Sequence, residues 1–150
     1  TSDAFKDYDP QVTYMPRISF SFPISDEALF FAHYDVTSKR PTDGLRLDPT
    51  SYYFIQANAN AFISNPALKP EKTVDYELGF QQLLNVKSSL KFSAYYREMR
   101  DLVQSFRFYG GYPIDYYSFN NIDFGTVKGL TIAYDLRRSA NIWLKASYTL

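Results

Sequence analysis

The chain has 150 residues, no cysteine, one histidine, and 16 basic against 16 acidic residues. That length suits about one domain, and the missing cysteines exclude a disulfide framework, a zinc finger and a thiol nucleophile, while one histidine cannot build a poly-histidine metal site. The zero net charge argues against a general polyanion binder, because nucleic-acid modules carry a basic excess on one face, so no nucleic-acid partner, metal or cofactor is expected.

Fourteen Tyr, thirteen Phe and one Trp make up 19% of the chain against a hydrophobic total of 45%, so the apolar surface is carried by residues that favour strands and interfaces. The longest apolar run, Ala28-Leu29-Phe30-Phe31-Ala32, falls far short of the roughly 18 residues of a spanning helix. A spanning barrel strand needs only about 9–11 tilted residues with every second one apolar, which a mean hydropathy of −0.33 permits. The opening Thr1-Ser2-Asp3-Ala4-Phe5-Lys6 carries no apolar signal-peptide core.

Period-two alternation predicts three hairpins in chain order. In the first, Ile18, Phe20 and Phe22 alternate with Arg17, Ser19 and Ser21, and after the turn at Pro23 to Asp26 the apolar set is Phe30, Ala32, Tyr34 and Val36. In the second, Val74, Tyr76, Leu78 and Phe80 face away from Thr73, Asp75, Glu77, Gly79 and Gln81, and a short link at Asn85 to Lys87 leads to Leu90, Phe92, Ala94 and Tyr96. The third pairs Leu130, Ile132, Tyr134 and Leu136 with Ile142, Leu144, Ala146 and Tyr148 across Arg137 to Asn141. Between hairpins, Thr37 to Lys72 and about Leu102 to Asn120 read as long, weakly periodic links rich in Pro, Gly, Asn and Tyr. Such links count against a compact soluble domain and suit an outer-membrane barrel, with short turns on the periplasmic rim and long loops outside. All three short links are therefore expected on one rim and both long ones on the other.

Several residues invite a chemical reading. Asp75 and Glu77 share a face about 7 Å apart, within the range of an inverting glycosidase pair, but a general acid also needs a desolvated pocket, and charged pairs on a wet barrel face are ordinary; no catalytic residue is assigned. His33 beside Asp35 reads as a hydrogen-bonded, lumen-facing histidine, there being no second His or Cys to complete a metal site. Tyr52-Tyr53-Phe54-Ile55 and the stretch Phe106 to Tyr117, with Tyr109, Tyr112 and Tyr116, place aromatics in both long loops, where they either stack on a sugar or planar ligand or pack on one another as a lid. Leu29, Phe31 and Trp143 break the polar phase close to the short turns, and apolar groups facing water need a partner.

The segment Asn65-Pro66-Ala67-Leu68-Lys69-Pro70-Glu71-Lys72-Thr73-Val74-Asp75-Tyr76-Glu77-Leu78-Gly79-Phe80 has two prolines that impose an extended approach to a strand with polar odd positions. Residue physics alone leaves a Pro-rich loop feeding a soluble edge strand and a barrel strand both open. The stretch closely resembles the Asn-Pro-x-Leu-Lys-Pro-Glu … Tyr-Glu-x-Gly signature of TonB-dependent outer-membrane receptors, carried here by Asn65, Pro66, Leu68, Lys69, Pro70, Glu71, Tyr76, Glu77 and Gly79. Pro16 to Ser25 resembles the same family's Pro-Arg-Ile-Gly-x-Ser-(Tyr/Phe)-Pro hairpin, with Ser19 where Gly is usual. Tyr95 to Val103 and Asn121 to Leu130 resemble the strands that follow, the latter as Asn-x-x-x-Gly-x-x-Lys-Gly. The likeness runs from about Met15 to Leu150.

The resemblance implies an all-β, antiparallel, up-and-down transmembrane barrel segment of about six strands, as three hairpins of a larger, roughly 22-stranded barrel. On this reading residues 1–150 are one partial barrel domain, without a plug domain or TonB box. The implied function is import of a scarce nutrient of the siderophore, cobalamin or glycan class across the outer membrane of a Gram-negative bacterium, with energy supplied through TonB, and no enzyme activity. The implied partners are membrane lipid and lipopolysaccharide, the plug domain of the same protein against Leu29, Phe31 and Trp143, the TonB complex, a surface lipoprotein, and a small-molecule or glycan ligand at the aromatic loops. Two rivals keep the strand pattern: a passive porin or structural barrel, and a soluble glycan-binding β-sandwich in which the apolar face is a buried core. An open six-stranded sheet would leave two edges of unpaired backbone groups, so the first and last strands are expected not to pair with each other.

Overall fold

The computed structural model describes residues 10–42, 50, 53, 54, 57, 62–112, 114–139 and 141–150. One sheet contains seven strands: β1 (Arg17–Ser25), β2 (Ala28–Lys39), β3 (Phe62–Ile63), β4 (Glu71–Asn85), β5 (Ser88–Phe108), β6 (Tyr116–Ser139) and β7 (Ile142–Thr149). Their spatial order is β1-β2-β4-β5-β6, and both β7 and the short β3 lie against β6. The six long strands are those the alternation predicts, and every pairing among them is antiparallel. The two-residue β3 is an addition, paired parallel to Tyr117 and Ser118. Among the described residues β1 pairs only with β2 and β7 only with β6, so both outer edges are open.

Register carries each strand's alternation across the sheet. Phe22, Phe30, Phe80, Phe92, Ile132 and Tyr148 are successive cross-strand partners, and Phe20, Ala32, Leu78, Ala94 and Leu130 form the next row. A one-residue slip in register would turn a whole strand over; none of the six long strands is turned over. This face is uncovered: Phe20, Leu78 and Leu130 are 57%, 56% and 61% exposed, where the inner face of a soluble sandwich would be buried. The short turns meet on one rim, Leu83 donating its N–H to Glu27 at 2.7 Å and Arg137 to Lys87 at 2.6 Å. The long links leave from the opposite rim, as expected.

Glycines on the polar face are sockets for rings. Gly79 lies directly opposite Phe31, and a Cβ built on it would overlap the Phe31 ring. The Lys91 ammonium sits 4.5 Å above the same ring. Gly129, opposite Tyr95, likewise leaves room for the tyrosine hydroxyl. The apolar Phe31 thus meets a wet face by lying flat on backbone under a cation.

The second long link is shorter than the sequence suggests. β5 is 21 residues long and β6 is 24, about twice a membrane crossing, so most of Leu102 to Asn120 is strand and only 109–115 remain as link. The alternation is hidden by an irregularity: Arg100 and Asp101 stand opposite Phe124 alone, and Ile122 is the compensating extra residue on β6. Asp101 takes a positive φ of 57°, as an Asp tolerates at a bulge. The two bulges cancel, and Val103 pairs with Asn121 in the original register.

Gly79→Ala is expected to destabilise the barrel of the full-length protein by about 1–3 kcal/mol through overpacking, measured as the urea midpoint of heat-modifiable gel mobility. Adding Phe31→Ala should recover part of that loss, whereas additive losses would show that the ring and the glycine are not a joint.

Candidate functional site

Three ion pairs cross between strands on the polar face. Arg17 meets Asp35 at 3.0 Å, Arg97 pairs with Asp75 through its Nε, and Lys91 reaches Glu77 at 3.5 Å. Each pair joins neighbouring strands. At this exposure such pairs contribute little stability; their effect is that each of these three carboxylates faces a cation on the next strand. Asp75 and Glu77 both face cations, not the apolar pocket that a general acid needs. His33 Nδ1 is 2.8 Å from the Ser19 hydroxyl, the hydrogen-bonded histidine expected.

The Asn65 to Glu71 signature forms a strap across the polar face of the β5–β6 extension. The Asn65 side chain closes its own turn by accepting the Ala67 N–H at 2.9 Å and donates to the Phe119 carbonyl at 3.0 Å. Leu68 is 4% exposed. Pro66 stands at the second position of this turn and Pro70 follows it, and neither has an N–H to satisfy. Asn121 then acts as a strand partner made from a side chain: its Oδ1 accepts the Lys69 N–H at 2.8 Å, and its Nδ2 donates to the Lys69 carbonyl at 2.9 Å and the Asp101 carbonyl at 2.7 Å. The Glu71 carboxylate accepts the Val103 N–H at 3.2 Å just past the bulge. Further out, Ser118 Oγ donates to the Ile63 carbonyl at 2.7 Å, and Phe62 stacks on Phe119 at 5.6 Å. Lys39, Glu71, Ser105 and Phe119 line a cleft of about 440 Å³ beside the strap. The rest of the signature, Tyr76, Glu77 and Gly79, is wall, with Tyr76 on the apolar face.

The long-loop rim divides the aromatic candidates. Tyr109 and Tyr112 are 80% and 90% exposed. Tyr53 and Phe54 meet edge to face at 4.9 Å and are exposed. Tyr116 packs along the hairpin, stacked on Phe108 at 5.2 Å and covering Gly111. Tyr52 and Ile55 lie outside the described residues. Arg107, not singled out in the sequence, faces Tyr109 at 5.4 Å and Tyr117 at 5.8 Å and pairs with Asp115 at 3.5 Å. Asp115 in turn caps the Gly110 N–H at 2.9 Å. An arginine flanked by aromatics was the signal for it. Near the short turns, Leu29 and Phe31 are half-buried and Trp143 is exposed.

An uncovered apolar face, a polar face crossed by ion pairs, short turns on one rim and a braced loop on the other make this sheet a section of transmembrane barrel wall. The chain belongs to the TonB-dependent receptors: the family model for "TonB dependent receptor-like, beta-barrel" matches residues 1–150. A search of curated proteins finds no match. Among solved structures the fold is similar to the ferric enterobactin receptor PfeA of Pseudomonas aeruginosa, with a TM-score of 0.70 at 16% identity over 91% of this chain and 21% of that one. It is also similar to the hemophore receptor HasR of Serratia marcescens, with a TM-score of 0.60 at 14% identity over 90% and 21%, and to the copper transporter OprC, with 0.53 at 17% over 87% and 19%. The chain spans about a fifth of the length of these receptors.

Asn121→Ala removes the three hydrogen bonds that hold Lys69 and Asp101, and is expected to speed amide exchange at Lys69 by about ten- to a hundredfold, since each lost partner exposes a group worth ~1–3 kcal/mol. Hydrogen-exchange mass spectrometry on the full-length protein checks this, and unchanged exchange in peptides covering 62–71 would show that the strap is held by Leu68 alone.

Proposed function

We propose that this chain forms part of the wall and outer rim of an outer-membrane receptor that imports a scarce nutrient of the siderophore, cobalamin or glycan class, driven through TonB. The observation that carries the reading is the braced rim: the family signature is spent on a strap that ties a long loop to an elongated hairpin, and ordered, aromatic-bearing loops are what a receptor needs to hold a dilute ligand. A passive pore has less need of such a brace. The fold neighbours, a ferric enterobactin receptor, a heme-bound hemophore receptor and a copper transporter, fit a cargo too scarce or too large for diffusion.

In this reading Tyr53, Phe54, Tyr109 and Tyr112 meet the ligand, Tyr52 lies in the same loop as Tyr53, and Tyr116 supports the hairpin from within. Leu29, Phe31 and Trp143 meet the plug domain of the same protein near the periplasmic rim. The open edges of β1 and β7 pair with further strands, since an unpaired backbone group costs several kcal/mol in hydrocarbon. The membrane is the outer membrane of a Gram-negative bacterium, and a surface lipoprotein is a candidate partner at the loops.

The test is uptake of labelled ferric siderophores, cobalamin and oligosaccharides by cells making the full-length protein, with and without functional TonB. Saturable accumulation of one compound that disappears without TonB is expected, and Tyr109→Ala with Tyr112→Ala should weaken its binding about two- to tenfold. Non-saturable entry independent of TonB would establish the passive pore instead.

A further inference from the structure

Open strand edges occur in two settings in this sheet. Those of β1 and β7 lie at the ends of the strand order, where further wall strands fit. Another lies inside the sheet. β4 begins at Glu71 between β2 and β5, whereas β5 runs on to Phe108. Upstream of Glu71 the chain leaves the sheet and crosses its polar face as the strap, bonded through Asn65 and Lys69 to Phe119 and Asn121 of β6. Beyond Glu71 the outer part of β5 therefore has β6 on one side and, among the described residues, no strand on the other. No further wall strand can reach this edge, because β2 and β4 already stand between it and the end of the sheet.

The groups on this edge follow from the register. The Val103 N–H points away from β6, to the Glu71 carboxylate at 3.2 Å, and pairing with β6 is regular from Val103–Asn121 to Phe108–Tyr116. Bonded and non-bonded pairs alternate in an antiparallel ladder. Gln104, Phe106 and Phe108 are thus bonded to β6, and the N–H and C=O groups of Ser105 and Arg107 point to the open side. The Phe119 carbonyl fits the same phase, since it points away from β5 to Asn65. Ser105 and Arg107 are exposed, and neither forms a backbone bond outside the ladder among the described residues. The cleft of about 440 Å³ lies along this edge, with Val103 and Ser105 on one side, Lys39 and Pro41 on the other, and Glu71 also lining it. Pro41 has no N–H, so β5 is the side that can pair.

We propose that this edge binds a short extended peptide, which takes the line that β4 follows lower down, runs antiparallel to β5 and sets its C-terminal carboxylate beside Lys39. Main-chain pairing along a sheet edge is a general mode of peptide capture. From Val103 to Arg107 the edge is about 13 Å long at ~3.3 Å per residue, and strands lie about 4.8 Å apart, so the place between β2 and β5 suits a chain of about four residues and one strand thick. Glu71 already shows the chemistry, its carboxylate serving the first edge donor as a strand carbonyl would. The direction follows from charge. Lys39, directly opposite Glu71, is exposed, as is Arg40 beside it, and Lys39 makes no ion pair among the described residues. A carboxylate arriving there meets cations, whereas an amino terminus would be set against them. The proposal goes beyond the transport reading, and neither depends on the other.

The experiment uses the full-length protein in detergent and the tetrapeptide Thr-Val-Thr-Val, chosen for strand propensity and labelled at its N-terminus for fluorescence anisotropy. It is supplied as free acid, as C-terminal amide, and as a set with one backbone N–H methylated at a time. Saturable binding of the free acid is expected, with slower amide exchange at Ser105 and Arg107 and no change at Gln104 and Phe106, which the ladder already protects. Methylation should abolish binding at alternate positions only. Amidation and Lys39→Gln should each weaken binding by up to about fivefold, the range of an exposed ion pair, and together no more than either alone. Ser105→Pro removes an edge N–H where proline is tolerated, and should lose binding with heat-modifiable mobility unchanged; should that variant not fold, the methylation pattern on the wild type decides. No saturable binding of the free acid at millimolar concentration, methylation effects without the alternation, or equal binding of acid and amide would each overturn the proposal. Uptake that proved independent of TonB would sink the transport reading and leave this one standing.

Discussion

Everything in this sheet depends on backbone hydrogen bonding that keeps strict register. In hydrocarbon a strand has no water to satisfy its N–H and C=O groups, so each must be bonded to a neighbour, and the ladder that does this also decides which side chains face lipid. Because the side-chain period is two, a single uncorrected slip would send phenylalanines to water and aspartates to acyl chains. The chain carries Phe22, Phe30, Phe80, Phe92, Ile132 and Tyr148 in one cross-strand row. The lipid face and the polar wall follow from that one constraint.

The two faces solve different problems with different chemistry. Outside, apolar residues need no specific partner, which is why large side chains stand half exposed without penalty once lipid covers them. Inside, Asp35, Asp75 and Glu77 are each answered by a cation on the next strand, and the Phe31 ring is laid on glycine. Arg97 with Asp75 and Phe31 on Gly79 are two forms of the same device, in which the neighbouring strand supplies what the residue lacks.

The strands were legible because their alternation is long and clean, and the family was legible because Asn65 to Glu71 is a specific string. The sequence did not show why that string matters. Its role lies in hydrogen bonds between residues more than fifty positions apart, such as Lys69 with Asn121, which no local period encodes. The outer half of β5 reads as loop in the sequence because the bulge at Arg100 and Asp101 breaks the alternation there. β3 was invisible because two residues paired parallel to β6 carry no pattern of their own. Of the candidate site residues, the strap and the exposed tyrosines were found by motif and composition, while Arg107 and Asn121 needed the fold to bring their partners near.

The paired bulges at Arg100–Asp101 and Ile122 have a consequence for how such a protein can diversify. Since one extra residue on each strand cancels the other, the ladder above them keeps its phase while its direction is free to change. The hairpin beyond continues the stem in unbroken phase, and its tip can be lengthened, re-aimed or replaced without turning over the lipid-facing rows below. The outer hairpin and the lipid-facing stem are thereby uncoupled within two continuous strands, so selection can alter one end while the other stays under purely physical constraint.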